Sequence, residues 1–175
     1  ALSKKCGVRI TFVALGIGGS HLVKLPQKDP LFMDRVLVVD ADTTVPRKDA
    51  ERGNTIKLPN VSGTSGVGRS IENTIKKFLR DISEADSGPL QEALYRLTTA
   101  NASSDKIHVK FFQDGDGEST ERTKAKAWWT KHWKSLNGWG VIERWAEVYK
   151  DEADAFKRDF DLAITSVAQR LTRKG

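Results

Sequence analysis

The sequence predicts an α/β domain: a small, mostly parallel sheet flanked by helices, with an all-helical C-terminal extension. Three observations carry this. Short continuous apolar runs lie early in the chain, VRITFVAL at residues 8–15 and VLVV at residues 36–39. Runs of this kind suit parallel strands covered on both faces. From Ile71 onward the apolar residues instead recur at helical spacing, and beyond Glu118 the pattern is helical throughout. The 175 residues fit an α/β core over 1–105 and a helical extension packed on it over 106–175.

Taken in order, residues 8–15 read as a central strand ended by the turn Gly16-Ile17-Gly18-Gly19. A short helix follows over 20–25, stopped by Pro26. Residues 36–39 form a second strand that ends on Asp40, and NTIKL at 54–58 a third, closed by Pro59. A Gly/Ser/Thr loop covers 61–68. Ser70 then caps a helix with Glu72 in its first turn, and Ile71, Ile75, Phe78 and Ile82 mark one face of it. Gly88-Pro89 opens another helix through Leu90, Leu94 and Leu97. Residues 107–112 read as a strand or an extended connection. Three helices close the chain: 120–133, broken at Asn137-Gly138; 141–149; and 152–173, striped by Phe156, Phe160, Ile164, Val167 and Leu171. The five tryptophans all fall between Trp128 and Trp145, and their i, i+4 pairings predict core packing ahead of base stacking.

Composition narrows the function. A single cysteine, Cys6, excludes an intrachain disulfide and points to a reducing compartment, hence the cytoplasm. No run approaches the ~20 apolar residues of a membrane span. The opening ALSKK leads almost directly into a strand, as in a piece cut from a longer protein. The net charge of +6 suits nucleic acid as a partner and equally a solvated basic surface. No P-loop occurs, so any ATP work belongs to another segment or chain.

The chemistry concentrates at Asp40-Ala41-Asp42. Two carboxylates two residues apart at a strand end can face the same way. Groups beyond the carboxyl ends of parallel strands are where such folds place their sites. Paired carboxylates repel, and a hard cation such as Mg²⁺ relieves this through oxygen ligands. Glu72 reads as a third ligand or as an acid placed by the helix dipole. Arg122 and Lys126, four residues apart, read as a phosphate contact or as solvated surface. His21, His108 and His132 have no zinc-like spacing, and of these His21 lies beside the Gly turn.

Two families share a strand followed by DxD. VLVVDADTTV resembles the haloacid-dehalogenase phosphatases, which would make Asp40 the nucleophile and Asp42 the acid/base, with Asp114-Gly115-Asp116-Gly117 as a late acidic motif. The order VRITFVAL, turn, short helix, VLVVDAD resembles instead the topoisomerase–primase (TOPRIM) fold. The stretch NTIKLPNVSGTSGVGRSIENTIKKFLRDI is similar to the segment after DxD in TOPRIM domains fused to ATPases of the OLD (overcoming-lysogenization-defect) family. The tail, with Arg122, Lys126, Trp128-Trp129 and WAEVYKDEADAFKRDFDLAITSVAQRL, resembles their helical C-terminus.

This resemblance implies a TOPRIM-like C-terminal domain of an OLD-type ATPase tied to anti-phage defence, cleaving DNA with Mg²⁺ or Mn²⁺. It places Asp40, Asp42 and Glu72 on the metal and Lys126 at the scissile phosphate. As partners it implies DNA, an ATPase domain in the same or a longer native chain, and a separate effector nuclease; it also admits a homo-oligomer. The chain departs from the family at its first motif. Where those domains carry a Glu, residues 15–20 read LGIGGS, with no acid. The resemblance therefore also admits a non-catalytic scaffold.

Overall fold

The computed structural model describes residues 11, 13, 15, 18–59, 70–100 and 122–174. These are mostly helical and carry a small two-stranded parallel sheet, in keeping with the α/β class. Strand β1 (Leu37–Val39) pairs with β2 (Thr55–Lys57) in the register Leu37↔Thr55, Val38↔Ile56, Val39↔Lys57. Leu37 and Val39 are buried, as is Ile56, so β-branched and aliphatic side chains supply the inner faces. Backbone bonds continue the pairing at both ends, from Leu37 N to Asn54 O (2.7 Å) and from Leu58 N to Val39 O (2.8 Å).

The sheet is assembled from short pieces. Helices α1 (Gly19–Leu22) and α2 (Leu25–Lys28) precede a 3₁₀ turn, Pro30–Asp34. The expected stop at Pro26 falls instead inside the first turn of α2, where a missing N–H costs no intrahelical bond. The Asp29 carboxylate caps the 3₁₀ turn by accepting from Leu31 N at 2.9 Å. A fully buried Asn54 ties that turn to the foot of β2. Its side-chain amide donates to Arg35 O at 2.9 Å and, at 3.4 Å, to Phe32 O and Met33 O.

Between the strands runs the crossover, residues 40–54, with α3 (Arg47–Ala50) on it. Buried Asp49 fastens α3 to α2. It accepts from Gln27 Nε2 at 2.9 and 3.2 Å and forms an ion pair with Arg52 at 2.8 Å.

Most of the expected strand at 8–15 lies outside the described residues. Thr11, Val13 and Leu15, which are described, have no regular secondary structure, and all three are exposed. The loop at 61–68, the segment 107–112, Cys6, His108 and Asp114 to Gly117 also lie outside the described residues.

The helices build the main apolar core. In α4 (Ile71–Glu84), Ser70 accepts from Asn73 N at 3.4 Å as the N-cap, and Ile75, Phe78, Leu79 and Ile82 are buried. Against them pack Ala93 and Leu97 of α5 (Gly88–Ala100), Trp128 and Leu136 of α6 (Arg122–Gly138), and Val141 and Trp145 of α7 (Val141–Val148). This core draws on residues to either side of position 105. Helix α6 ends at Gly138, where Asn137-Gly138 predicts the break, and Gly140 then takes the left-handed conformation, with φ of +68°.

The last helix, α8 (Lys150–Lys174), joins the two parts. It packs on α7, on β2 and on the 3₁₀ turn. Ala163, Ile164, Val167 and Ala168 are buried, and Phe156 and Phe160 stack at 6.0 Å, while Leu171 ends the expected stripe exposed. Arg170 Nη1 donates to Arg52 O at 2.8 Å, a polar clamp beside the apolar contact. No described helix is long and apolar enough to cross a membrane.

Candidate metal centre

The chain leaves β1 at Val39 and turns at once. Thr43 N donates to Asp40 O at 3.0 Å, closing a turn over residues 40–43. Ala41, between the two acids, is buried; Asp40 is half-buried and Asp42 exposed. The turn thus buries its small apolar residue and leaves Asp42 open to solvent, at the carboxyl end of a parallel strand.

Two neighbours shape this turn. Helix α1 lies against it so closely that a Cβ at Gly19 would overlap the Thr43 hydroxyl, and Thr43 is itself buried. The Gly turn read from the sequence therefore serves close backbone approach at Gly19. His21, on the same short helix, is exposed. The second neighbour is Lys57, which the register places beside Val39. Its Nζ donates to Ala41 O at 3.3 Å, so the ammonium sits at the carbonyl between the two aspartates.

Sequence reasoning passed over Lys57, because nothing in TIKL marks which strand end it will reach. It also passed over buried Asp49, which reads as one more charge in RKDAER.

The other candidates occupy the helical part. Glu72 is buried in the first turn of α4. Lys126 is exposed near the start of α6. His132 is buried with its ring 5.6 Å from that of Trp128. Among the described residues, no three His, Cys, Asp or Glu side chains group to hold one metal ion. The described donors are Asp40 and Asp42. Two hard carboxylates fit Mg²⁺ or Mn²⁺, which commonly take one or two protein carboxylates and complete their shell with water and substrate phosphate.

Comparison with protein-family models, curated proteins and solved structures finds no match.

Proposed function

We propose that the chain is a TOPRIM-like domain of an OLD-type ATPase that binds a divalent metal at Asp40 and Asp42 and acts on DNA. The supporting observation is the position of the aspartate pair. Both acids fall in the turn directly after a parallel strand, Asp40 half-buried and Asp42 exposed, with Lys57 as the neighbouring cation. Mg²⁺ or Mn²⁺, when bound, would polarise a phosphodiester and lower the pKa of a bound water.

The protein's own groups have separate tasks in this reading. Asp40 and Asp42 supply oxygen ligands. Lys57 limits the negative charge that accumulates at the turn and can meet a non-bridging phosphate oxygen. Lys126 assists in the role that the resemblance implies, at the scissile phosphate, whereas Glu72, buried in α4, does not join the two aspartates in a three-ligand group. OLD-type domains work beside an ATPase, in the same or a longer chain, and in the cytoplasm. Both belong to the proposal on that basis.

A second reading is a non-catalytic scaffold that docks on the ATPase and a separate effector nuclease. The contact of Gly19 with Thr43 favours it, since backbone fills space near the place where active relatives of the resembled family carry their first acid. A haloacid-dehalogenase phosphatase is the alternative enzyme. Its long βα alternation finds less support, because every described element after β2 is a helix.

The deciding experiment is plasmid cleavage in Mn²⁺ by wild type beside Asp40→Ala/Asp42→Ala, with an aryl phosphate assayed in parallel. Nicking lost in the variant supports the nuclease. Aryl phosphate hydrolysis with an aspartyl-phosphate at Asp40 supports the phosphatase. Folded protein inactive in both assays leaves the scaffold.

A further inference from the structure

Helix α6 is sharply two-faced. At about 100° per residue, Trp128, His132 and Leu136 fall on one arc, and all three are buried. Lys126, Thr130, Trp133, Lys134 and Asn137 fall on the opposite arc, and all five are exposed. The helix sequence RTKAKAWWTKHWKSLNG is rich in lysine and contains no acid. Neither Lys126 nor Lys134 forms an ion pair with a described residue.

Trp133 breaks the pattern of the other tryptophans. Trp128 and Trp145 are buried in the core, and Trp129 and Trp139 pack against it, whereas Trp133 is 44% exposed. An indole in water between lysines has no packing explanation. It matches the combination that holds single strands: a flat aromatic face for a base beside cations for the phosphates.

We propose that the outer face of α6 binds single-stranded DNA, with Trp133 stacking an unpaired base and Lys126 and Lys134 meeting the flanking phosphates. Charge complementarity selects the occupant. A face with cations and no acid among the residues of α6 attracts a polyanion, and the exposed indole needs a partner with a free π-face. A base stacked within a duplex does not offer one. The two lysines span about 12 Å of helix axis at 1.5 Å per residue, and Trp133 lies between them in sequence. The inference rests on the reading of DNA as substrate, in its binding part alone. It adds a preference for unpaired strands, such as a displaced strand or a gap.

The test measures anisotropy of a labelled oligothymidylate with the full chain across a range of NaCl concentrations. Trp133→Ala is expected to weaken binding about 5- to 150-fold, the equivalent of ~1–3 kcal/mol per stacked base, with the salt slope unchanged. Trp133→Phe should recover most of that loss. Lys126→Gln/Lys134→Gln should lower the slope of log K against log [salt] by about 1.4, or ~0.7 for each phosphate contact removed. These lysines are exposed, so that variant keeps the test open if Trp133→Ala unfolds, which circular dichroism would report.

Wild-type affinity in Trp133→Phe and Trp133→Ala alike, an unchanged slope in the lysine variant, or binding to anionic vesicles in place of oligonucleotide would each overturn the surface. Plasmid cleavage is scored separately on the wild type. Cleavage without oligonucleotide binding overturns the α6 surface and leaves the proposed function standing. Binding that obeys both variants, without cleavage, supports the surface and removes the nuclease.

Discussion

The Lys57 ammonium donates to the carbonyl of Ala41, the residue between Asp40 and Asp42, at 3.3 Å. The side chain is anchored by the pairing of Val39 with Lys57, so strand register delivers a cation to the acidic turn. A fixed positive charge near a cation site weakens metal binding. Lys57→Met is therefore expected to bind Mn²⁺ about three- to tenfold more tightly, with the gap narrowing in high salt. Calorimetric titration of both proteins checks this. Equal affinities would remove Lys57 from the site, and no binding by either would remove the metal.

Gly19 faces a different constraint. A methyl group there must displace the hydroxyl of a buried, β-branched Thr43. Gly19→Ala is expected to cost ~1–3 kcal/mol in urea unfolding, as overpacking does. Gly19→Ala/Thr43→Ala should restore part of that loss. Additive losses would mean that the two residues do not compete for the same space.

Asn54 carries much of the polar load of the sheet unit. Removing its amide in Asn54→Ala takes the 2.9 Å donor from the Arg35 carbonyl and leaves a gap at a fully buried position. The expected loss is ~1–3 kcal/mol, with amide exchange rising first at Leu37 and Leu58. Uniform exchange across the helices would instead place Asn54 outside the local unit.

The helical core has an alkaline weakness. The Tyr149 hydroxyl, half-buried, donates to Asp81 Oδ2 at 3.0 Å, and Asp81 also pairs with Lys77 at 2.6 Å. Burial first, then the Asp81 charge and the hydrogen bond to it, push the phenol from 10.0 up to about 12. The unfolded chain thus loses this proton earlier than the folded one. The contribution is complete below about pH 10 and fades as pH rises to about 12. Over that window wild type should lose stability relative to Tyr149→Phe, measured as the difference between their urea midpoints. Parallel curves would show that Tyr149 is equally free in both states.

Much of this fold is legible in the sequence where one local pattern decides the outcome. VLVV and TIK become β1 and β2, Ser70 caps α4, and the Ile75, Phe78 and Ile82 stripe is buried as its spacing requires. The site is less legible because its contacts are not local. Asp40 and Asp42 stand out in the chain, but Lys57 reaches the Ala41 carbonyl between them only through strand pairing, and Gly19 meets Thr43 across 24 positions. Asn137-Gly138 marks the end of α6, and the left-handed residue follows two positions later, at Gly140. Asp49 reads as one more charge because a sequence does not announce which polar side chains will find buried partners.

The clamp from Arg170 to the Arg52 carbonyl joins positions 118 residues apart. At ~5–20 residues per second of synthesis, α8 leaves the ribosome roughly 6 to 24 s after the strand it must cover. Until then Ile56 lacks the helix that packs on its strand. During that interval the nascent chain offers a hydrophobic target to chaperones.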